Sequence, residues 1–156
     1  MTPMWFEDFE VGATFETAAR TITEADVVAF SGISGDYNPL HTDAEFARGT
    51  VFGERIAHGL LVLSIASGLG IQTGIYTGTN LAFLGIEDWR FVGVVLFGDT
   101  IRMRSTVTEV RRTSKGDRGI VKLAEEVLNQ RDEVVQKGVF VSLMAARETP
   151  ADGAGA

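Results

Sequence analysis

The sequence holds only two histidines, His41 and His58, and each stands beside residues that would let it do chemistry. His41 closes the stretch SGDYNPLH, residues 34–41, which sets Asp36 five positions before it. Pro39 fixes its own φ and pushes Asn38 towards extended backbone, while Asn38 can tie its side chain back to the main chain. A loop so stiffened holds a carboxylate and an imidazole in a set relation. The two can share one water, the carboxylate polarising it and the imidazole accepting or returning a proton near neutral pH. The same string is also good turn chemistry. On these residues alone the turn and the catalytic pair stand roughly even.

His58 and Gly59 introduce the run LLVLSIASGLG. A helix beginning there offers unpaired N–H groups and a partial positive charge. A glycine at that point lets a substrate carbonyl come close to the backbone, which is what a developing oxyanion needs. For His58 itself, capping or packing at the helix entry outweighs a direct catalytic role. Ser64 and Ser67 follow on the same run. Buried helical serines usually bond back one turn, and neither stands in a G-x-S-x-G elbow, so a serine nucleophile is not expected. Two histidines among scattered acids match no zinc-ligand spacing, so no metal is expected. No glycine loop is placed to cradle a nucleotide phosphate before a helix.

These groups need elements to hold them. Ala13–Ile22 reads as a strand. Thr23, with Asp26 three residues on, reads as the capped start of a helix that Gly32 and Gly35 end. The long irregular segment after it has room for two short helical pieces, the first near Asp43–Ala47. The segment His58–Gly70 has no polar face, so it must be buried and wrapped by the rest of the chain. Four strands follow: Thr79–Val92, Asp99–Arg112, Gly119–Gln130 and Glu133–Arg147, with Ile101, Met103, Ser105, Val107 and Glu109 on one side of the second. The economical packing is a curved antiparallel sheet around the apolar helix, an α+β fold whose open edges favour a dimer.

The 156 residues suit one domain, taken as 1–147, with a small polar tail at 148–156 expected to be flexible. No cysteine is present, which excludes disulfides, thiolate metal sites and a cysteine nucleophile. The first residues carry acids where a signal peptide carries Lys or Arg, so a cytoplasmic protein is the default expectation. No run is long enough to span a membrane. The net charge of −7 argues against nucleic-acid binding. Arg102–Lys122 is nevertheless locally basic. A solvated strand face and hairpin is the plainer reading, and a meeting of Arg102 and Arg104 with substrate phosphates is the sharper one.

FSGISGDYNPLHTDAEFA followed by IAHGLLVLSIASGL resembles the MaoC-like, (R)-specific enoyl-CoA hydratase family, and DWRFVGVVLFGDTIRMRSTV resembles the family's later region. The resemblance implies the hot-dog fold, a long antiparallel sheet around a central helix, in a homodimer or a dimer-based higher oligomer. It implies that Asp36 and His41 form the hydratase pair, that the Gly59 N–H meets the thioester oxygen, and that Ser67, rather than Ser64, supports the site. Asn38 and His58 would support it too. The implied substrate is an acyl-CoA or acyl-carrier thioester of fatty-acid or acyl-CoA metabolism, with no cofactor beyond the CoA it carries. Val94 stands where relatives often carry proline, in what reads as a loop. The apolar residues after His41 and the stretch TGIYTGTNLAFLGIEDW are expected to line the acyl tunnel. A hot-dog thioesterase and a non-catalytic acyl-thioester-binding subunit are the competing readings.

Overall fold

The computed structural model describes residues 2–147; Met1 and the expected tail, 148–156, lie outside them. After a 3-10 turn at Phe6–Asp8 come strands β1 (Thr14–Glu16) and β2 (Arg20–Thr21) and helices α1 (Glu24–Ser34), α2 (Pro39–Thr42), α3 (Ala44–Arg48) and α4 (Gly59–Gln72). Strands β3 (Asn80–Phe91), β4 (Thr100–Arg112), β5 (Arg118–Leu128) and β6 (Val134–Ala145) complete the order. The main sheet runs β1-β4-β5-β6-β3, with β2 also against β4, and every pairing is antiparallel. Strands β4 to β6 are the expected meander. Strand β3 departs from it by crossing to the far edge beside β6.

The sheet face under α4 follows from period-two alternation. Met103, Val127 and Phe140 pack there with Leu61, Val62, Ile65, Ala66 and Leu69 of the helix. A second cluster on the sheet, with Val107, Val121, Leu123 and Met144, is closed by Phe6 and Phe9. This sheet wrapped on a central helix is the hot-dog arrangement. No helix among the described residues is long and apolar enough to cross a membrane.

Three local expectations need correction. The strand over 13–22 is two strands, because the Met103 N–H donates to Thr17 Oγ1 at 3.0 Å and a side chain takes the place of a ladder carbonyl. Gly32 does not end α1; the helix runs on to Ser34, and Gly35 at φ 76° turns the chain out of it. Glu109 does not share a side with Val107, because the β4–β5 register shifts between them. The bulge turns Glu109 towards Lys122 Nζ, 3.7 Å away.

Helix α4 is also less enclosed than its composition suggests. Leu60 and Ile71 are 59% and 55% exposed, so the sheet covers one side and leaves the other open. Conversely, the sheet's inner face carries a carboxyl group. Glu125 is 1% exposed and accepts a hydrogen bond from Ser105 Oγ at 2.6 Å. Its Oε1 has no partner among the described residues. Burial pushes this carboxyl up to about 8, against the opposing pull of the Ser105 hydrogen bond.

Candidate active site

The loop from α1 to α2 is built by side chains that bond forward along their own backbone. The Asp36 N–H donates to Ser34 Oγ at 3.1 Å. Asp36 Oδ1 accepts from the Asn38 N–H at 3.2 Å, and Asn38 Oδ1 accepts from the Leu40 N–H at 3.0 Å. Asn38 thereby caps α2, with Pro39 in its first turn. Thr42 Oγ1 closes the loop by donating to the carbonyls of Tyr37 and Asn38. A turn is therefore how Asp36 and His41 are held, so the turn and the pair are one structure.

His41 Nδ1 lies 2.8 Å from the Ile56 carbonyl. A carbonyl can only accept, so Nδ1 carries the proton and Nε2 keeps a free lone pair. His58 is 2% exposed, and its Nε2 lies 2.9 Å from the backbone carbonyl of Asp36. By the same reasoning Nε2 carries the proton there, and Ser31 Oγ stands 3.4 Å from it. His58 Nδ1 is buried without a partner among the described residues. The two imidazoles pack against each other, with centroids 3.7 Å apart and planes 31° apart. His58 therefore buttresses the Asp36 loop and the back of the His41 ring. It makes no side-chain cap on α4, although it occupies the cap position.

One ligand-type atom from each of Asp36, His41 and His58 lies within 4.8 Å of the others. That spacing suits a water between Asp36 and His41, since hydrogen bonds of about 2.8 Å reach it from both sides. It also gathers three metal-ligand residues that sequence spacing does not reveal, because the chain returns to the loop through His58. Backbone carbonyls engage Nδ1 of His41 and Nε2 of His58, which leaves the Asp36 carboxylate, His41 Nε2 and the buried His58 Nδ1 as the open donors.

Asp36, His41, His58 and Gly59 all line one cleft of about 440 Å³. Its apolar wall comes from Phe52, Ile56, Leu60, Val62 and the stretch Phe91–Val95. Gly59 begins α4, and a Cβ built on it would stand 2.7 Å from Phe91 Cδ1, so only glycine lets the ring close over the helix start. The first turn of α4 thus presents its N–H groups to the same space as the Asp36–His41 pair.

The family model described as "MaoC like domain" matches residues 8–128. The chain belongs to this MaoC-like family. It is 40% identical over 114 residues to "Protein MaoC" of Klebsiella aerogenes, an overlap of 73% of this chain and 33% of that protein. It is 34% identical over 135 residues to the (R)-specific enoyl-CoA hydratase of Aeromonas caviae, covering 86% and 95% of the two chains. The crystal structure of the MaoC-like dehydratase from Rhodospirillum rubrum aligns over 94% of this chain and 99% of that one. The TM-score is 0.83 and the identity 29%. This chain thus spans 95% of that hydratase but only a third of the Klebsiella protein.

Within this MaoC-like domain the remaining expected site residues fall elsewhere. Ser67 does not line the cleft. It borders a separate cavity of about 30 Å³ with Tyr76, Asn80, Phe83 and Ser142; of TGIYTGTNLAFLGIEDW, expected along the acyl tunnel, Tyr76, Asn80 and Phe83 line this cavity and no residue lines the cleft. Ser64 is exposed and bonds back to the Leu60 carbonyl at 2.8 Å. Arg102 and Arg104 do not reach the cleft either. Arg102 pairs with Asp132 at 2.6 Å, and Arg104 pairs with Glu16 at 2.8 Å. The acids that answer these two cations are distant in sequence. Val94 lies in a loop, as expected, and that loop lines the cleft, so the departure there touches its apolar wall.

Sequence reasoning missed Gln136 and Phe91. Gln136 is 2% exposed, lines the cleft and donates from Nε2 to the Gly59 carbonyl at 2.9 Å. A glutamine in the alternating strand VVQKGVFVSLMA was the available signal, because its position faces the core.

Proposed function

We propose that this chain catalyses the reversible hydration of a trans-2-enoyl-CoA to the (R)-3-hydroxyacyl-CoA. The observation that carries the reading is the convergence on one cleft of the Asp36 carboxylate, the free Nε2 of His41 and the first turn of α4. In the hydration direction a water sits between Asp36 and His41. His41 Nε2 accepts one of its protons as the oxygen bonds to C3, and Asp36 accepts a hydrogen bond from the other. The carbon–carbon π pair moves to C2 and towards the thioester oxygen, where the Gly59 N–H stabilises it. The imidazolium then returns its proton to C2 on the same face. Dehydration runs these steps backwards.

The apolar wall formed by Phe52, Leu60 and Val94 suits an acyl chain. An acyl-carrier thioester presents the same reacting atoms. A homodimer fits the exposed apolar row of Leu81, Phe83, Leu84 and Ile86 on edge strand β3 and the open side of α4. The deciding experiment follows crotonyl-CoA and longer enoyl-CoAs by loss of enoyl absorbance, with free thiol measured in parallel. Enoyl loss without thiol release, abolished by Asp36→Asn in a folded protein, is expected. Full activity in Asp36→Asn overturns the mechanism, and thiol release as the main reaction makes the chain a thioesterase.

A further inference from the structure

Helix α4 begins without a side-chain cap, because the imidazole in the cap position faces Asp36. An uncapped first turn frays, and a frayed turn cannot hold an N–H at a fixed place. The structure assigns that task to Gln136: we infer that it is a positioning residue that clamps the oxyanion-binding end of α4 to the sheet. This inference rests on the proposed function, since it concerns the N–H groups used there.

Gln136 lies on β6 beside Val127 of β5 and Phe91 of β3, on the inner face of the sheet. Burying an amide side chain costs free energy unless its hydrogen bonds are made. Here both ends are engaged. Nε2 donates to the Gly59 carbonyl at 2.9 Å, and Oε1 accepts from Trp89 Nε1 at 3.2 Å. An indole N–H can only donate and a carbonyl can only accept, so the amide has one workable orientation. The indole is itself seated. It lies within the backbone irregularity between Glu87 and Arg90, next to Asp88 at φ 49°, and its ring stacks on Phe140 at 5.3 Å. Gly138 leaves the space, since a Cβ there would stand 2.5 Å from Trp89 Cε3. The relay Trp89–Gln136–Gly59 thus passes a fixed orientation from the sheet to the helix start. Preorganised donors act in the transition state without reorganising, so the relay should be felt in kcat more than in KM.

The test compares wild type, Gln136→Leu, Gln136→Glu and Trp89→Phe by steady-state hydration of crotonyl-CoA and by amide hydrogen exchange at Val62 and Leu63. Gln136→Leu is expected to exchange at least about tenfold faster at those amides. Its kcat should fall about 10–100-fold, with KM within about threefold. Trp89→Phe should show the same pattern more weakly, and it serves if Gln136→Leu does not fold. Gln136→Glu can donate to the Gly59 carbonyl only while protonated. Its kcat should therefore rise towards wild type at low pH and fall as pH rises, a limb a packing role would not create. Unchanged exchange and unchanged kcat in a folded Gln136→Leu protein, or a Gln136→Glu profile parallel to wild type, overturn the inference. An inactive wild type overturns the proposed function instead, while the exchange rates still judge the clamp.

Discussion

The two halves of α4 cover polar groups in opposite ways. At its start, the polar atoms of His41, His58 and Gln136 each spend one bond on the backbone: on Ile56, Asp36 and Gly59. For His41 that leaves the other ring nitrogen to the open cleft. Beneath the later turns, Asn80 Oδ1 is buried beside a cavity of about 30 Å³ and Glu125 Oε1 is buried in the sheet, both without a partner among the described residues. The first region is oriented and open, although His58 Nδ1 is buried there without a partner among the described residues; the second is more enclosed and leaves two oxygens so. A polar residue under a core helix is thus no mark of a site by itself. What marks the site is that the backbone has taken one nitrogen of His41 and left the other to the cleft.

The strongest way to break this contrast is to remove an aimed group. His41→Ala should lower crotonyl-CoA turnover about 10²–10⁴-fold with the fold intact by circular dichroism, the loss usual for a general acid–base group. A smaller effect is expected at the helix start. Gly59→Ala pushes a methyl into the Phe91 ring, and kcat should fall about tenfold or more. Adding Phe91→Leu should recover part of that loss, and a double-mutant cycle with no coupling between the two would remove the steric explanation.

In the enclosed region the readout is stability. The Glu125 carboxyl titrates at about 8 in the folded protein because burial disfavours its charge, against an ordinary value of 4.5. The unfolded chain therefore loses this proton first as pH rises. Wild-type stability should decline from about pH 4.5 to about pH 8 and then level off, and a displacement of this size corresponds to roughly 5 kcal/mol. Glu125→Gln removes that dependence. Urea melts at pH 5 and pH 9 should show the variant gaining on wild type at the higher pH, and parallel curves would refute the assignment. The smallest effect belongs to Ser67→Ala. Because Ser67 borders the enclosed cavity and not the cleft, turnover should stay within about threefold of wild type. A hundredfold loss would join the two regions into one site.

Much of this was legible beforehand, for reasons specific to each element. The pair of Thr23 and Asp26 announced the start of α1, since a capping box depends on neighbours three residues apart. Strands β4 to β6 showed themselves by alternation, and Asp36, Asn38, Pro39 and His41 by turn chemistry, all short-range. Less legible were features set by partners far along the chain. Arg102 and Arg104 left a phosphate-binding reading open beside the plainer solvated one, because their partners Asp132 and Glu16 are not close neighbours in sequence. Ser67 was matched by its spacing along the helix, which does not say which cavity that turn overlies.

The sequence by itself determined which residue types were available and which backbone each short stretch preferred: a stiff Asp–His loop, an apolar helix opened by glycine, and strands to cover it. Those preferences are local, set by sterics and hydrogen bonds within a few residues. The tertiary structure decided which nitrogen of each histidine is free, which glycine lies under an aromatic ring, and that a glutamine 77 residues from Gly59 grips its carbonyl. Each of those depends on the address of one distant acceptor or ring, and only the packing of α4 on the sheet supplies it.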